Sequence, residues 1–130
     1  MAERISLEVP ATLGALSTIR IVLGGVGARL DFSLDDLDDL FLATDRLLGA
    51  ALDWEELDSL RVSVQVDGSS LQITAGRFGS AQLREQVAVT PGNCIDLCTV
   101  LARLVDDVAV QDDGECYNVV ITKQRTESAA

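Results

Sequence analysis

The stretch Leu60–Ala75, LRVSVQVDGSSLQITA, decides the fold predicted for this chain. Apolar and polar side chains alternate through Leu60–Val66 and again through Leu71–Ala75. Between the two runs stands Asp67-Gly68, a dipeptide favoured in two-residue β-hairpin turns. A period of two is typical of a strand with one buried face. The stretch therefore predicts an antiparallel hairpin that lays one face on a hydrophobic core.

The same alternation recurs on both sides of this hairpin. Arg4–Val9 predicts a first strand, which Pro10 ends because proline has no N–H to donate to a ladder. Towards the C-terminus, Val108–Val110 and Tyr117–Ile121 flank the turn dipeptide Asp113-Gly114. The sequence thus predicts a leading strand and a second hairpin.

Helical spacing of apolar residues predicts a first helix from about residue 11 to 29. Gly24, Gly25 and Gly27 weaken its last turns, by up to ~1 kcal/mol each relative to alanine. We interpret them as helix fraying or close packing. They lack the spacing and the preceding strand of a phosphate-binding loop.

A second helix is predicted from Ser33, an N-cap candidate, to about residue 52. Asp35 and Asp36 lie in its first turn, where the helix dipole favours anions. Its predicted apolar stripe consists of Leu34, Leu37, Phe41, Leu48 and Ala51, with Leu40 and Leu47 beside it. Apolar residues from Ile95 to Val105 predict a third helix, and Ala81–Val89 suits a short helix or a strand.

The order of elements predicts the fold class. Strand, two helices, hairpin, helix and hairpin indicate an α+β two-layer sandwich. We expect a mixed, mostly antiparallel sheet that three helices cover on one face. The 130 residues suit one domain, predicted over residues 1–125, with a flexible tail over 126–130.

The composition limits the classes of partner that the chain is expected to bind. The formal net charge is −11, with 48% apolar and 24% charged residues, so the chain is globular and strongly acidic. Direct binding of nucleic acid, a polyanion, is disfavoured. A basic protein partner fits the charge, and so does a role in solubility alone.

Neither a signal peptide nor a membrane-spanning segment is predicted, because the N-terminus lacks an apolar region and no apolar run is long enough.

The three cysteines, an odd number, argue against a disulfide framework. Cys94 and Cys98 would share a helix face, with Cys116 as the third thiol. Without histidine a zinc site lacks its fourth ligand, which favours buried thiols over a metal or redox site. We expect a bacterial, cytoplasmic protein.

The remaining polar candidates have both structural and functional interpretations. Asp35, Asp38 and Asp39, beside Asp36, lack the spacing of a calcium loop, so they form either a solvated face or a docking surface for a basic partner. Arg20 lies among apolar neighbours as a snorkelling side chain or an interface anchor. The pair Asp106 and Asp107 fits a helix-to-strand turn better than acid–base catalysis. Triads that need histidine are excluded.

Four further segments carry a family resemblance: Val9-Pro10-Ala11 with Arg20, Leu42–Asp45, Arg103–Val108 and Val119–Lys123. They resemble segments of the RsbW-type anti-sigma serine kinases, which belong to the histidine-kinase and Hsp90-like ATPase superfamily. The third is the most specific, since it is similar to the family's Leu-Met-Asp-Glu-Val turn. The resemblance covers nearly the whole chain and implies the ATPase-type α+β sandwich.

By the same resemblance, the family's nucleotide contacts are altered. Arg46 occupies the place of a catalytic Glu, and Ala50 the place of a magnesium-holding Asn. A one-residue shift would put Asp45 and Gly49 there and still leave magnesium without its ligand. The adenine-holding Asp-x-Gly motif corresponds to Arg77-Phe78-Gly79.

The glycine-rich lid of the family corresponds to Ile95–Cys98, with no glycine after Gly92. Phosphates need closely approaching backbone N–H groups, which glycine permits. The resemblance therefore implies a degenerate pocket at Arg46, Ala50, Arg77 and Gly79, with no catalytic residue, cofactor or metal.

The resemblance implies a regulatory domain that sequesters a sigma factor or binds a STAS-type antagonist without hydrolysing ATP. Arg20, Asp35, Asp38 and Asp39 are its candidate partner-binding residues. Two alternatives stay open: an active serine kinase with a divergent pocket, and a scaffold or dimerisation module. A homodimer is also compatible with the sequence, with the first strand as its edge.

Overall fold

The computed structural model describes residues 3–54, 57–88 and 97–126. Their secondary structure comprises five strands and four helices. In chain order these are β1 Glu3–Pro10, α1 Ala15–Arg29, α2 Leu34–Trp54, β2 Ser59–Asp67, β3 Ser70–Phe78, α3 Ala81–Ala88, α4 Leu97–Leu104, β4 Asp107–Asp113 and β5 Cys116–Gln124. The predicted α+β class is confirmed.

The sheet has the strand order β1-β2-β3-β5-β4, and every neighbouring pair is antiparallel. The expectation of a mixed sheet is therefore wrong. Both predicted hairpins form, β2–β3 around Gly68 and β4–β5 around Gly114, each glycine with a positive φ. β1 and β4 are the two edges, and the last strand in chain order, β5, is inserted between β3 and β4.

Alternation along the strands divides the sheet into a buried and an open face. In β5, Tyr117, Val119 and Ile121 are buried, while the residues between them are half-buried. The buried side joins the helices in one hydrophobic cluster. Four helices pack there rather than three, because Ala81–Ala88, which suited either a helix or a strand, forms α3.

The core stripe of α2 differs from the predicted one. Leu40 and Leu47 are fully buried, whereas Leu34 is 79% exposed and Phe41 is only half-buried. The helix is rotated relative to the predicted stripe because it contacts α1 on one side and α4 on the other. The residues that it buries are Asp36, Leu40, Ala43, Thr44, Leu47, Leu48 and Ala51.

Close packing explains Gly27 of α1, whereas Gly24 has room for a methyl group at an ordinary contact distance. A methyl group on Gly27 would collide with Leu37 of α2, and one on Gly24 would lie 3.6 Å from Phe41. A methyl group on Gly25 would meet nothing within 4 Å. α1 continues past all three to Arg29, so they do not fray the helix, and Gly27 is the one that allows close packing against α2.

A buried polar network ties the start of α2 to the end of β5. Ser33 caps α2 by accepting the N–H of Asp36 at 3.1 Å, as predicted. The buried Asp36 carboxylate accepts the Thr126 N–H at 2.9 Å and the Thr126 hydroxyl at 2.7 Å. The buried Lys123 Nζ donates to the Leu104 carbonyl at 2.9 Å and lies 3.9 Å from Asp36. Thr126, placed at the start of the predicted tail, is thus anchored, and residues 127–130 lie outside the described chain.

Candidate functional site

A groove opens between α2 and α4, with a volume of about 460 Å³. This volume lies within the range of small-molecule sites, roughly 300 to 1,000 Å³. Its wall residues are Leu13 ahead of α1, Asp45, Arg46, Gly49, Ala50 and Asp53 on α2, and Leu97 and Val100 on α4. Across the described residues, side chains do not fill this groove.

Both positions that the sequence resemblance predicts to form a degenerate catalytic motif line the groove. Arg46 and Ala50 line it together, as do Asp45 and Gly49 of the alternative alignment. Residues four apart lie on one side of a helix, so either register brings its pair to the same wall. In the Arg46/Ala50 alignment, the wall presents a guanidinium and a methyl group. In the Asp45/Gly49 alignment it presents a carboxylate, but Gly49 has no side chain that could bind a metal.

An ion pair engages the carboxylate of Asp45. The Arg20 guanidinium, on α1, contacts Asp45 Oδ2 and also lies 5.4 Å from the centre of the Phe41 ring. The Arg20 side chain remains 52% exposed. Arg20 thus joins α1 to α2 beside the groove, with its outer surface open to solvent.

The structure separates Arg77 and Gly79 from the other degenerate positions. Arg77 Nε lies 3.1 Å from Asp113 Oδ2, at the end of the sheet where β4 turns into β5. Neither residue lines the groove, so the four positions do not form one pocket. Of the predicted lid Ile95–Cys98, residues 95 and 96 lie outside the described chain, and Leu97 lines the groove.

Metal-binding and thiol candidates stay apart in the structure. The described residues contain no group of three potential ligands that could hold a metal ion. Cys98 is buried and Cys116 is half-buried, and neither is in a disulfide. The prediction that Cys94 and Cys98 share a helix face involves residue 94, which lies outside the described residues. The buried thiol of Cys98 agrees with a packing role.

Asp106 has a structural role in the turn before β4. Its carboxylate Oδ2 accepts the N–H of Gln124 at 2.7 Å, and its own N–H donates to the Thr122 carbonyl at 2.9 Å. Asp107 begins β4 opposite Thr122. These contacts fix the helix-to-strand turn, as the sequence predicts for this pair.

The outer surface of the two long helices exposes large apolar side chains, and one of them, Leu34, is part of the core stripe predicted for α2. Ile21 is 75% exposed, Leu34 79% and Leu42 50%. Leu34, Asp38 and Leu42 are spaced by four residues, so they form one ridge along α2. We name Arg20, Ile21, Leu34, Asp38 and Leu42 the α1–α2 face.

The predicted partner-binding acids divide between exposed and paired positions. Asp35 and Asp38 are exposed near the start of α2. Asp39 lies on the far side of the helix, with Oδ2 3.5 Å from Lys123 Nζ. Arg20 and Asp38 therefore join the α1–α2 face, Asp35 borders it, and Asp39 contributes to the network around Asp36.

Other proteins are similar to this chain over most of its length. No protein-family model matches it. Curated relatives named "Serine-protein kinase RsbW" come from Bacillus cereus (strain G9842) and Bacillus mycoides (strain KBAB4). Each is 25% identical, over 140 and 137 residues, and each match covers 93% of this chain and 84% of the relative.

A solved structure shares the fold. The crystal structure of the RsbU and RsbW domains of Rv1364c from Mycobacterium tuberculosis superposes with a TM-score of 0.70 at 14% identity. The match covers 95% of this chain and 32% of that chain, so it corresponds to about a third of the larger protein. This likeness supports the α+β two-layer sandwich predicted from sequence. No helix in the described part of the chain is long and apolar enough to cross a bilayer.

Proposed function

We propose that this distant homologue of the RsbW serine-protein kinases is a regulatory protein-binding domain that sequesters a sigma factor without kinase activity. The observation that carries the proposal is the chemistry of the groove wall. Arg46 and Ala50 stand where the resemblance places a catalytic Glu and a magnesium-holding Asn, and both side chains line the groove. A guanidinium cannot take a proton from a hydroxyl, and a methyl group cannot ligate a metal.

The ion pair at Asp45 supports the same conclusion. A general base must reach the proton that it abstracts. Arg20 instead engages the one carboxylate that a shifted alignment would bring to the catalytic place. Gly49, four residues further on, would then offer magnesium no side-chain ligand.

The α1–α2 face supplies a surface for binding. Exposed Ile21, Leu34 and Leu42 provide apolar area, and Arg20 and Asp38 provide charge of both signs. Arginine is enriched among the residues that contribute most to binding at protein interfaces. Removal of exposed apolar area from water adds a further favourable contribution to association. The net charge of −11 favours the approach of a partner with a basic docking segment.

The proposed mechanism is steric occlusion in the cytoplasm. A sigma factor held on the α1–α2 face cannot present the covered surface to its polymerase. A STAS-type antagonist that competes for the same face would release it. Without a phosphorylation step, the ratio of the two partners would set the amount of free sigma factor.

One alternative keeps support from the structure. The groove is open, has a volume compatible with a small ligand, and carries Asp45 and Asp53. The curated relatives are named kinases. A serine kinase with a divergent pocket is therefore the second candidate, and binding of ATP with magnesium discriminates it from the first.

The experiment is affinity capture from the native cytosol, followed by a binding assay with the recovered partner. A sigma subunit is the expected partner, and Leu42→Asp should weaken its binding by more than about tenfold. Ala102→Glu, which adds a negative charge at an exposed site on α4, is the matched control and should bind normally. Recovery of only a sensor or scaffold protein, or equal loss in both variants, would count against the proposal.

A further inference from the structure

The open face of the sheet, opposite the helices, carries two adjoining shallow pockets of about 260 and 180 Å³. Arg4, Ser63, Thr74 and Asn118 line both of them. The smaller pocket adds Arg61, Gly76, Arg77 and Asp113, and the larger adds Gln65, Gln72, Gln111 and Val120. Apart from Gly76 and Val120, the lining residues carry hydroxyl, amide and guanidinium groups and one carboxylate.

The concentration of arginine there contrasts with the charge of the chain. Only 10 of the 130 residues are Lys or Arg, yet Arg4, Arg61 and Arg77 converge on the smaller pocket. Asp113 pairs with Arg77. Arg4 and Arg61 form no ion pair with any carboxylate of the described residues.

The acid closest to Arg61 in the strand register is Glu8, directly across on β1. Its Oε1 accepts the hydroxyl of Ser59 at 3.0 Å. Glu8 does not line either pocket. The smaller pocket thus keeps an excess of positive charge, with three guanidinium groups against Asp113.

The backbone is shaped to bring neutral donors beside these arginines. Gly76 lies opposite Arg61 in the register, and any side chain on it would collide with the Asn118 amide. The absence of a Cβ therefore lets Asn118 lie over the strand, towards Arg61. On the other side, Arg4 Nη2 lies 3.4 Å from Ser63 Oγ, which lies 3.1 Å from Ser6 Oγ.

We propose that this pocket binds the phosphate group of a small phosphorylated metabolite, with Arg4 and Arg61 as its charged ligands. The planar guanidinium fork matches the oxygens of a phosphate and forms charge-assisted hydrogen bonds with them. Asn118, Ser63 and Thr74 supply further donors at the edge of the same pocket.

The surrounding charge limits the class of anion. A protein of net charge −11 repels a long polyanion, whose phosphates would extend beyond the pocket over acidic surface. A small monoester places its charge within reach of the arginines alone. The pocket volumes, about 180 and 260 Å³, also fit a small group better than an extended one.

The test is a titration with inorganic phosphate and then glycerol 3-phosphate, followed by two-dimensional NMR of the labelled chain at constant ionic strength. Saturable shifts are expected at the amides of Arg61, Ser63 and Asn118. Arg61→Gln should weaken binding about tenfold or more, because it removes a charged hydrogen-bonding partner. Unchanged shifts elsewhere would show that this variant is folded.

Arg103→Gln on α4 is the matched control, since Arg103 also lacks an ion pair with a described carboxylate. It should change affinity less than about twofold, because Arg103 lines neither pocket and α4 packs on the opposite face of the sheet. Linear, non-saturating shifts or equal losses in both variants would overturn the proposal. Binding of a phosphoserine peptide alone, without either free phosphate, would also overturn it. The groove between α2 and α4 plays no part in any of these outcomes.

Discussion

Arg20 of α1 forms an ion pair with Asp45 of α2 at the edge of the groove, and its guanidinium also lies over the ring of Phe41. One half-exposed side chain thus borders two surfaces, the α1–α2 face and the groove wall. A partner that contacts Arg20 would contact the same side chain that forms the ion pair with Asp45. Occupation of the face and of the groove are therefore expected to influence one another.

Adding ATP and magnesium should leave the melting temperature unchanged, because the groove offers no magnesium ligand at Ala50 or Gly49. A ligand at ~100 times its dissociation constant would add ~2.7 kcal/mol to the unfolding free energy. Differential scanning fluorimetry detects such a change, and the Bacillus cereus relative is the positive control. A magnesium-dependent rise would favour the kinase alternative.

The double variant Arg46→Glu, Ala50→Asn should not gain kinase activity. It introduces the two side chains that the resemblance assigns to the motif. Arg77, which the resemblance assigns to the adenine position, remains paired with Asp113 away from the groove. Transfer of radiolabelled phosphate to a STAS-type antagonist is the measurement, with circular dichroism to verify folding. Clear transfer would mean that the nucleotide pocket has been assigned to the wrong residues.

Arg20→Ala should affect binding far more than stability. The Arg20–Asp45 pair is partly exposed, with side chains 52% and 31% accessible, so its loss should cost about 1 kcal/mol or less. If Arg20 anchors the partner, affinity should fall more than about tenfold. Urea unfolding and calorimetric titration measure the two effects. A large stability loss with normal binding would make Arg20 a structural residue.

Asp36→Asn should destabilise the fold by about 1–3 kcal/mol near neutral pH, because Thr126 and Lys123 lose a charged partner. Burial of the Asp36 carboxylate raises its pKa, but the Thr126 hydrogen bonds, Lys123 and Ser33 outweigh this effect. The net pKa lies below the ordinary 3.8.

The sign of the pH dependence follows from this lowered pKa. The stabilisation by ionised Asp36 is fully present above pH 3.8 and disappears as pH falls through the folded-state pKa. The difference in unfolding free energy between wild type and Asp36→Asn should therefore shrink only in that acid range. The exposed Asp35→Asn serves as a control in the same helical turn. A constant difference down to pH 2 would contradict this prediction.

Two glycines of α1 should respond oppositely to alanine. Gly27→Ala should cost about 1–3 kcal/mol, because the methyl group collides with Leu37. Gly25→Ala meets open space and should stabilise the helix by about 0.5–1 kcal/mol. Thermal unfolding of both variants measures the difference. Similar effects of the two substitutions would refute close packing at Gly27.

Local patterns were sufficient to predict most of the sheet. Alternation on either side of Asp67-Gly68 and Asp113-Gly114 specified both hairpins because turn chemistry and the two faces of each strand are local properties. The uniform antiparallel pairing required the position of β5 between β3 and β4, a long-range property. The stripe of α2 was wrong for the same reason, since contacts with α1, α4 and Lys123 set its rotation.

The candidate site was predictable in part. The resemblance placed Arg46 and Ala50 in one pocket, and both line the groove, because residues four apart lie on one side of a helix. Motif order suggested that Arg77 lies near them, whereas β3 carries it to Asp113. The buried carboxylate of Asp36 is hydrogen-bonded to Thr126, which is 90 residues away in the sequence. No local pattern indicates a contact over that separation.

The late insertion of β5 has a consequence for synthesis on the ribosome. β3 has no partner on that side, and the start of α2 lacks the Asp36–Thr126 contact, until residue 126 has left the exit tunnel. Contacts between distant parts of a chain can form only after the intervening loop closes. The nascent chain must therefore pass through a stage with α1, α2 and a three-stranded sheet in which one edge of β3 is unpaired. At that stage apolar surface is exposed and accessible to chaperones.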